Sequence, residues 1–353
     1  VRLVVDALAI RSGSAAIIVG NLLIGWAAAE PDDELVVLVA NEPQLPLPES
    51  ARVEAIGGGR MWAQSFGVRR AARQLGADAV LGGVTASVLL GARCPWGVIL
   101  YDLRHEVRPE QFSRSRRVVR RLLYGWSFAR ADAVICISER TREDLLRRRP
   151  RLGAKAHVAL LGADHAARWA AEDDGQPPRY VLAFGHFPNK NVDGVLRAWQ
   201  LYHGPGQLRI CGLGRESRAN AEQLVSELGI SERVRLLPWL SDEQFEAVFA
   251  GASGVLFPSD FEGFGLPAIE ALLRGIPLVI SPDPALLEVT AGHAVVADDE
   301  SAAGLAAAIE RSQALTPDQL AAGTEHARTF TWERMAREVR AALAQPQSPE
   351  SSR

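Results

Sequence analysis

Three side chains of this 353-residue chain have the types and spacing for chemistry on a charged, hydroxyl-bearing ligand: Glu262, Glu270 and Lys190. The glutamates flank a glycine turn in LFPSDFEGFGLPAIEALLRGIPLVIS, residues 256–281. Leu256 and Phe257 end an apolar run that reads as a strand, and Pro258 stops it. Gly263 and Gly265 bracket a loop where a ligand meets backbone without side-chain obstruction. Pro267 suits a first helical turn and Gly275 a helix end; a second buried strand, Ile276 to Ile280, follows. Such a strand–loop–helix unit aims free N–H groups and the positive end of a helix at an anion, typically a phosphate. Carboxylates repel phosphate, but they are strong acceptors for hydroxyl groups. A phosphate joined to a polyol is a sugar nucleotide.

The segment AFGHFPNKNVDGVLRAW, residues 183–199, repeats this logic. A strand ends at Phe184, Gly185 turns the chain, and a helix starts near Asn191. Lys190 is one of only two lysines, with Lys155, and it stands at a strand–helix junction, the favoured anion site of an open α/β sheet. The plain alternative is a solvated surface lysine.

These positions need a scaffold of alternating strands and helices. Apolar runs at 2–6, 35–39, 79–82, 97–101, 132–137 and 156–161 read as buried parallel strands, with helices at 61–75, 113–128 and 139–149. Residues 165–178 gather acid, Gly and Pro and read as a linker. Strands resume at 179–184, 207–211, 233–237, 253–257 and 277–280, followed by terminal helices at 316–328 and 331–344. The fold class expected is α/β, with two Rossmann-like doubly wound domains facing across a cleft. Their expected bounds are 1–170 and 171–345. The last helix returns toward the first domain, and 346–353 is a disordered tail.

Composition agrees with a globular chain: 48% hydrophobic and 23% charged residues. No apolar run reaches the ~18 residues of a membrane span. Residues 15–29, AAIIVGNLLIGWAAA, mimic a secretory signal, but the preceding strand and Asn21 favour a first helix. Cys94, Cys136 and Cys211 have no ligand spacing and read as thiols of a reducing, cytoplasmic compartment. Residues 1–172 carry 24 Lys and Arg against 18 Asp and Glu, while the remainder carries 15 against 24. The basic half is therefore expected to face an acidic partner or surface.

Taken together, the second-half motifs resemble those of retaining glycosyltransferases of family 4, the group 1 type with GT-B architecture. The resemblance rests on FGHFPNKNVDGVLRAW, on RICGLG (209–214), on residues 234–281 with their glutamates, and more weakly on LLEVTAGHAVVADDES and TFTWERMA. In the first half, DAVICISERTREDLL (132–146) and LLGAD (160–164) also fit. It implies a hexosyl transfer from a nucleotide-diphosphate sugar to a hydroxyl acceptor, with retention and without a metal. The acceptor would be a glycolipid, polysaccharide or natural-product precursor. Glu270 would take the ribose and Glu262 the donor sugar. The backbone of Gly263, Phe264, Gly265 and Leu266 would hold sugar and distal phosphate, and Lys190 would neutralise the leaving diphosphate. Gly185, Gly212 and Gly214 would shape the donor loops. The alternatives on the same scaffold are a phosphorylase, a pseudo-glycosyltransferase and an inactive sugar-nucleotide-binding protein.

Two positions depart from the family pattern. His186 follows Gly185 where an arginine is usual, leaving Arg215 as a second diphosphate cation. Tyr101 stands where the first domain usually has a histidine, with Asp102 next and His105 three residues beyond Asp102. His105 would substitute for that contact, serve the acceptor, or be unspecialised. Gly13, in IRSGS (10–14), would let backbone approach the donor, or is a plain turn. Trp239, with Leu240, would pack near the base or in the core.

The helix 113–128 is basic and amphipathic. Val118, Val119, Leu122, Leu123 and Trp126 form one face, which reads as core packing or as a docking face for an anionic membrane or lipid-linked acceptor. Nucleic-acid binding is not expected, because no aromatic-interleaved basic platform accompanies the charge. No metal site is expected: D-x-D is absent, and Asp298-Asp299-Glu300 reads as a helix cap.

Overall fold

The computed structural model describes residues 1–345 apart from 12, 60, 61, 88, 89 and 172–179. The expected tail, the second half of the expected linker, Ser12 of the glycine-bearing loop and the first residue of the expected helix 61–75 lie outside the described residues. The chain forms two compact units, one of Val1–Gly162 with the chain from Thr331 onward, the other of Ala163–Phe330. The division falls earlier than 170/171 because residues 163–171 pack into the second unit. Ala163 N–H donates to Phe330 O at 2.9 Å, Arg274 Nη1 donates to Trp169 O at 2.6 Å, and the Trp169 ring meets Phe249 edge-on at 5.2 Å.

The first unit is built on β1 (Arg2–Asp6), β2 (Glu34–Val39), β3 (Arg52–Ala55), β4 (Ala79–Gly82), β5 (Trp96–Leu100), β6 (Ala133–Cys136) and β7 (Ala156–Val158). All are parallel, in the order β3-β2-β1-β4-β5-β6-β7. Val4, Val36, Val80, Val98 and Val134 are fully buried, as expected for strands covered on both faces. β3 has no counterpart in the sequence reading: at the sheet edge, with Arg52, Val53 and Ala55 exposed, it lacks the apolar signature of a central strand. The expected strand 97–101 ends at Leu100, so Tyr101 lies just past the sheet, and 156–161 stops at Val158 where pairing with β6 ends. The described part of 61–75 begins with a π-helical turn, Ala63–Gly67, and continues as the helix Val68–Leu75.

Helix Trp332–Ala344 belongs to this unit and packs on helix Ser14–Ala29. Gly25 permits the approach, since a Cβ there would lie 2.4 Å from the Trp332 carbonyl carbon. Arg340 Nε donates to Asp33 Oδ2 at 2.8 Å across the same contact.

The second unit carries β8 (Tyr180–Phe184), β9 (Gln207–Cys211), β10 (Val234–Leu236), β11 (Gly254–Phe257), β12 (Leu278–Ile280) and β13 (Val295–Val296). They too are parallel, ordered β10-β9-β8-β11-β12-β13. Its core gathers Trp199, Leu196, Leu208, Ile210 and Leu256 from strands and helices alike. In each sheet the strand order reverses at one place: beside β1 and β4 in the first, beside β8 and β11 in the second. At such a point successive loops leave in opposite directions and open a crevice at the carboxyl ends of the strands.

Candidate functional site

The residues singled out in the second unit follow the two strands at its switch point. After β8, Gly185 leads through the exposed pair His186 and Phe187 to a tight turn, Pro188–Lys190. Asn191 then takes a left-handed conformation, φ 52°, and its Oδ1 accepts from Gly194 N–H at 3.2 Å, capping helix Val192–Leu201. This turn directs Lys190 inward. Its ammonium lies 4.3 Å from the ring centroid of Phe257, the last residue of β11.

After β11 the chain runs through residues 258–265 to helix Leu266–Leu273. Gly265 sits at φ 91°, and a Cβ there would come 2.3 Å from Leu286 Cδ2, so only glycine starts the helix at this angle. No side chain caps this helix, and Pro267 occupies its first turn, where a missing N–H costs nothing.

The two loops are stitched together. Lys190 Nζ donates to Glu262 Oε1 at 2.5 Å, with both side chains largely buried. Asn189 Nδ2 donates to Phe261 O at 2.9 Å and to Glu262 Oε1 at 3.3 Å, and Asn189 O accepts from Asp260 N–H at 2.9 Å. Asp283 joins from the next loop: Oδ2 accepts from Glu262 N–H at 3.4 Å, while Oδ1 caps helix Pro284–Thr290. Lysine and carboxylate thus meet beside an uncapped helix N-terminus, an arrangement able to hold an anion and hydroxyl groups together.

Glu270, one turn into the helix, is buried, with Oε1 at 3.2 Å from His165 Nε2. Phe264 turns its side chain into the core against Phe330, ring centroids 5.9 Å apart, leaving its backbone to the loop. Gly212, at φ 77°, lies at the end of β9 beside His186; a Cβ there would be 3.2 Å from His186 Nδ1. Gly214 starts helix Arg215–Glu227 without a side-chain cap, and Arg215 is exposed. Trp239 is 76% exposed and Leu240 half-buried, which removes the core reading of that tryptophan.

In the first unit the candidates follow β1 and β5, and the side chains of Tyr101, Asp102 and His105 are committed to internal contacts. Gly13, at φ 82°, starts helix Ser14–Ala29. Tyr101 donates its hydroxyl to Gly83 O, just beyond β4, at 2.7 Å, and burial pushes its phenol up, so it remains a donor. Asp102 Oδ1 accepts from Arg104 N–H at 2.8 Å, shaping the short helix Arg104–Val107. His105 is 1% exposed, edge-on to Tyr124 at 4.8 Å, with Nε2 3.5 Å from Glu106 Oε1. Its ring is thus packed within this corner of the first unit.

Three residues were missed: Asn189, Asp283 and His165. Asn189 precedes Lys190 within the motif already quoted, and Asp283-Pro284 is a readable helix start. His165 follows LLGAD in sequence, but nothing local links it to Glu270.

Two parallel α/β units, each with a topological switch point in its sheet, define a GT-B fold of Rossmann-like units. The chain belongs to the group 1 glycosyltransferases. Residues 170–324 match the model of glycosyl transferases group 1, and residues 25–167 that of glycosyltransferase family 4. O-antigen chain mannosyltransferase B of Escherichia coli is 28% identical over 253 residues, 66% of each chain. Sucrose-phosphate synthase of Thermosynechococcus elongatus superposes with a TM-score of 0.75 at 19% identity, covering 96% of this chain and 97% of that one. Anabaena HepE, solved with UDP and glucose, superposes at 0.72 with 16% identity, covering 97% and 99%. The matched stretch spans 66%, 33% and 65% of three curated relatives.

Proposed function

We propose that this protein transfers a sugar from a nucleotide-diphosphate donor to a hydroxyl acceptor, with retention of configuration. The observation that carries the reading is the Lys190–Glu262 pair at the uncapped N-terminus of helix Leu266–Leu273. Cleaving a glycosyl–phosphate bond develops negative charge on the departing oxygen. A fixed ammonium and converging backbone N–H groups stabilise that charge where water is excluded. In this role Lys190 exchanges its carboxylate partner for the diphosphate. Glu262, held by Asn189, is then released to accept hydroxyls of the donor sugar. Glu270 takes the ribose hydroxyls, oriented by His165. The backbone of Gly263, Phe264, Gly265 and Leu266 holds the distal phosphate, and Arg215 and His186 lie on neighbouring loops of the same crevice.

In this reading no carboxylate attacks the sugar carbon. The acceptor oxygen approaches from the leaving-group face and passes its proton to the departing phosphate oxygen. Lysine and helix dipole supply the positive charge, so no metal is required. The first unit holds the acceptor, with Tyr101 and Asp102 shaping the loop after β5. The mannosyltransferase relative and the UDP and glucose bound in the HepE structure support a nucleotide-sugar donor.

The test is a thermal-shift screen across nucleotide-diphosphate sugars, followed by NMR of the product formed from the stabilising donor. A donor at a hundred times its Kd should add about 2.7 kcal/mol of apparent stability, and the product should keep the donor's anomeric configuration. An inverted product would overturn the retaining mechanism, and sugar transfer to inorganic phosphate, with a sugar 1-phosphate as product, would indicate a phosphorylase instead.

A further inference from the structure

Helix Arg114–Arg130 turns two different faces to its surroundings, and only one of them meets the core. Ser127 and Phe128 are buried, and Tyr124 packs edge-on to Phe128 at 5.9 Å. Val118, Leu122 and Trp126 recur every four residues, with Val119 beside them, which places them on one stripe. These four are not core residues. Val118 is 58% exposed, Val119 53%, Leu122 67% and Trp126 38%, and only Leu123 of the expected apolar face is half-buried. Every residue from 113 to 122 is exposed.

The charge of this helix is as unusual as its apolar stripe. It carries Arg114, Arg116, Arg117, Arg120, Arg121 and Arg130 and no acidic residue. Among the described residues, none of Arg114, Arg116, Arg117 and Arg121 has a carboxylate partner. In helix Glu139–Arg148 the opposite holds: Arg140, Arg142, Arg147 and Arg148 all pair with carboxylates. The first helix therefore presents uncompensated positive charge on both sides of an exposed apolar stripe.

We infer that helix Arg114–Arg130 is a docking surface for an anionic lipid bilayer. Lying in the interface plane, it would seat Val118, Val119, Leu122 and Trp126 at the acyl boundary, while the flanking arginines reach lipid phosphates. A nucleic acid would use the arginines and leave the aliphatic stripe wet. A protein partner would need an acidic rim around an apolar groove. A bilayer of acidic lipids satisfies both features with one flat surface. Among the described residues no helix is long and apolar enough to cross a membrane.

The experiment is co-sedimentation of the full chain with vesicles of equimolar phosphatidylglycerol and phosphatidylcholine, compared with phosphatidylcholine alone. The wild type should bind the anionic vesicles only, and less as salt is raised. The double substitution Val118→Ser, Leu122→Ser should weaken binding roughly tenfold, and Arg116, Arg117, Arg120 and Arg121 all changed to Gln should weaken it at least as much. Both variants alter exposed side chains, so their Tm should stay at the wild-type value. Absence of wild-type binding, or undiminished binding by both variants, overturns the inference. So does a dimer in sedimentation velocity that the Val118→Ser, Leu122→Ser protein loses while vesicles remain unbound. None of these outcomes depends on the transferase reading.

Discussion

Two carboxylate–cation clusters, one in each unit, use similar groups for different ends. In the first unit Glu106 is gripped by a guanidinium fork: Arg149 Nη2 reaches Oε1 at 2.5 Å and Nη1 reaches Oε2 at 3.2 Å, with Arg148 Nε 3.4 Å from Oε2. Burial works to raise the Glu106 pKa, but hydrogen bonding from His105 and Arg149 outweighs it and brings it from 4.5 down to about 2. In the second unit a single lysine meets a single carboxylate oxygen at 2.5 Å, in a loop beside an uncapped helix start. A planar, bidentate arginine fork fixes geometry, whereas an ammonium is a point charge that can change partners. The first cluster is a staple; the second holds an ammonium able to change partners, as the proposed donor role of Lys190 requires.

The comparison breaks most decisively at Lys190. Lys190→Ala should lower turnover by about two to three orders of magnitude, measured as nucleotide-diphosphate release by protein shown to be folded by circular dichroism. Wild-type turnover in that protein would make this pair a staple like the other.

Glu106→Gln should do the reverse, costing on the order of 2–3 kcal/mol of stability at neutral pH with turnover nearly unchanged. Because the folded-state pKa is depressed, this stabilisation is fully present above 4.5 and lost as pH falls toward about 2. Urea unfolding of wild type and variant should therefore converge across that window. A constant gap would show that the ion pair is not the source.

Tyr101→Phe removes one hydrogen bond and leaves Gly83 O without it, for an expected loss of about 1–2 kcal/mol by thermal melting. A turnover loss as large as that of Lys190→Ala would instead put the tyrosine on the reacting groups. The smallest effect is expected at Trp239→Ala. Being exposed, Trp239 should leave stability within about 0.5 kcal/mol, with any change confined to donor Kd by calorimetry.

The second unit was far more legible in sequence than the first, for a local reason. Strand end, glycine turn, proline and helix start lie within ten residues of Glu262, and each has a conformational signature of its own. Lys190 follows a similar short grammar. The first unit's residues depend on neighbours remote in sequence: Tyr101 bonds to Gly83, and His105 packs on Tyr124. A lone histidine in a loop gives no sign of whether its ring faces solvent or an aromatic core. The exposed edge strand β3 was unreadable because apolar periodicity marks only strands with a buried face.

Helix Arg114–Arg130 shows the same limit in another form. Its apolar spacing was plain, but the same spacing serves a core and a membrane face, and only exposure separates them.

By itself, then, the sequence determined the alternation of strands and helices, the glycine loop between Glu262 and Glu270, and the placing of Lys190 at a strand–helix junction. These follow from backbone preference and periodicity, which act over a few residues. The tertiary structure alone decided that Lys190 and Glu262 touch, that His165 lies beside Glu270, that His105 is buried and that the Val118–Trp126 stripe is not. Those outcomes depend on which strands become neighbours and which surfaces are left uncovered, and both are settled by packing across the whole chain.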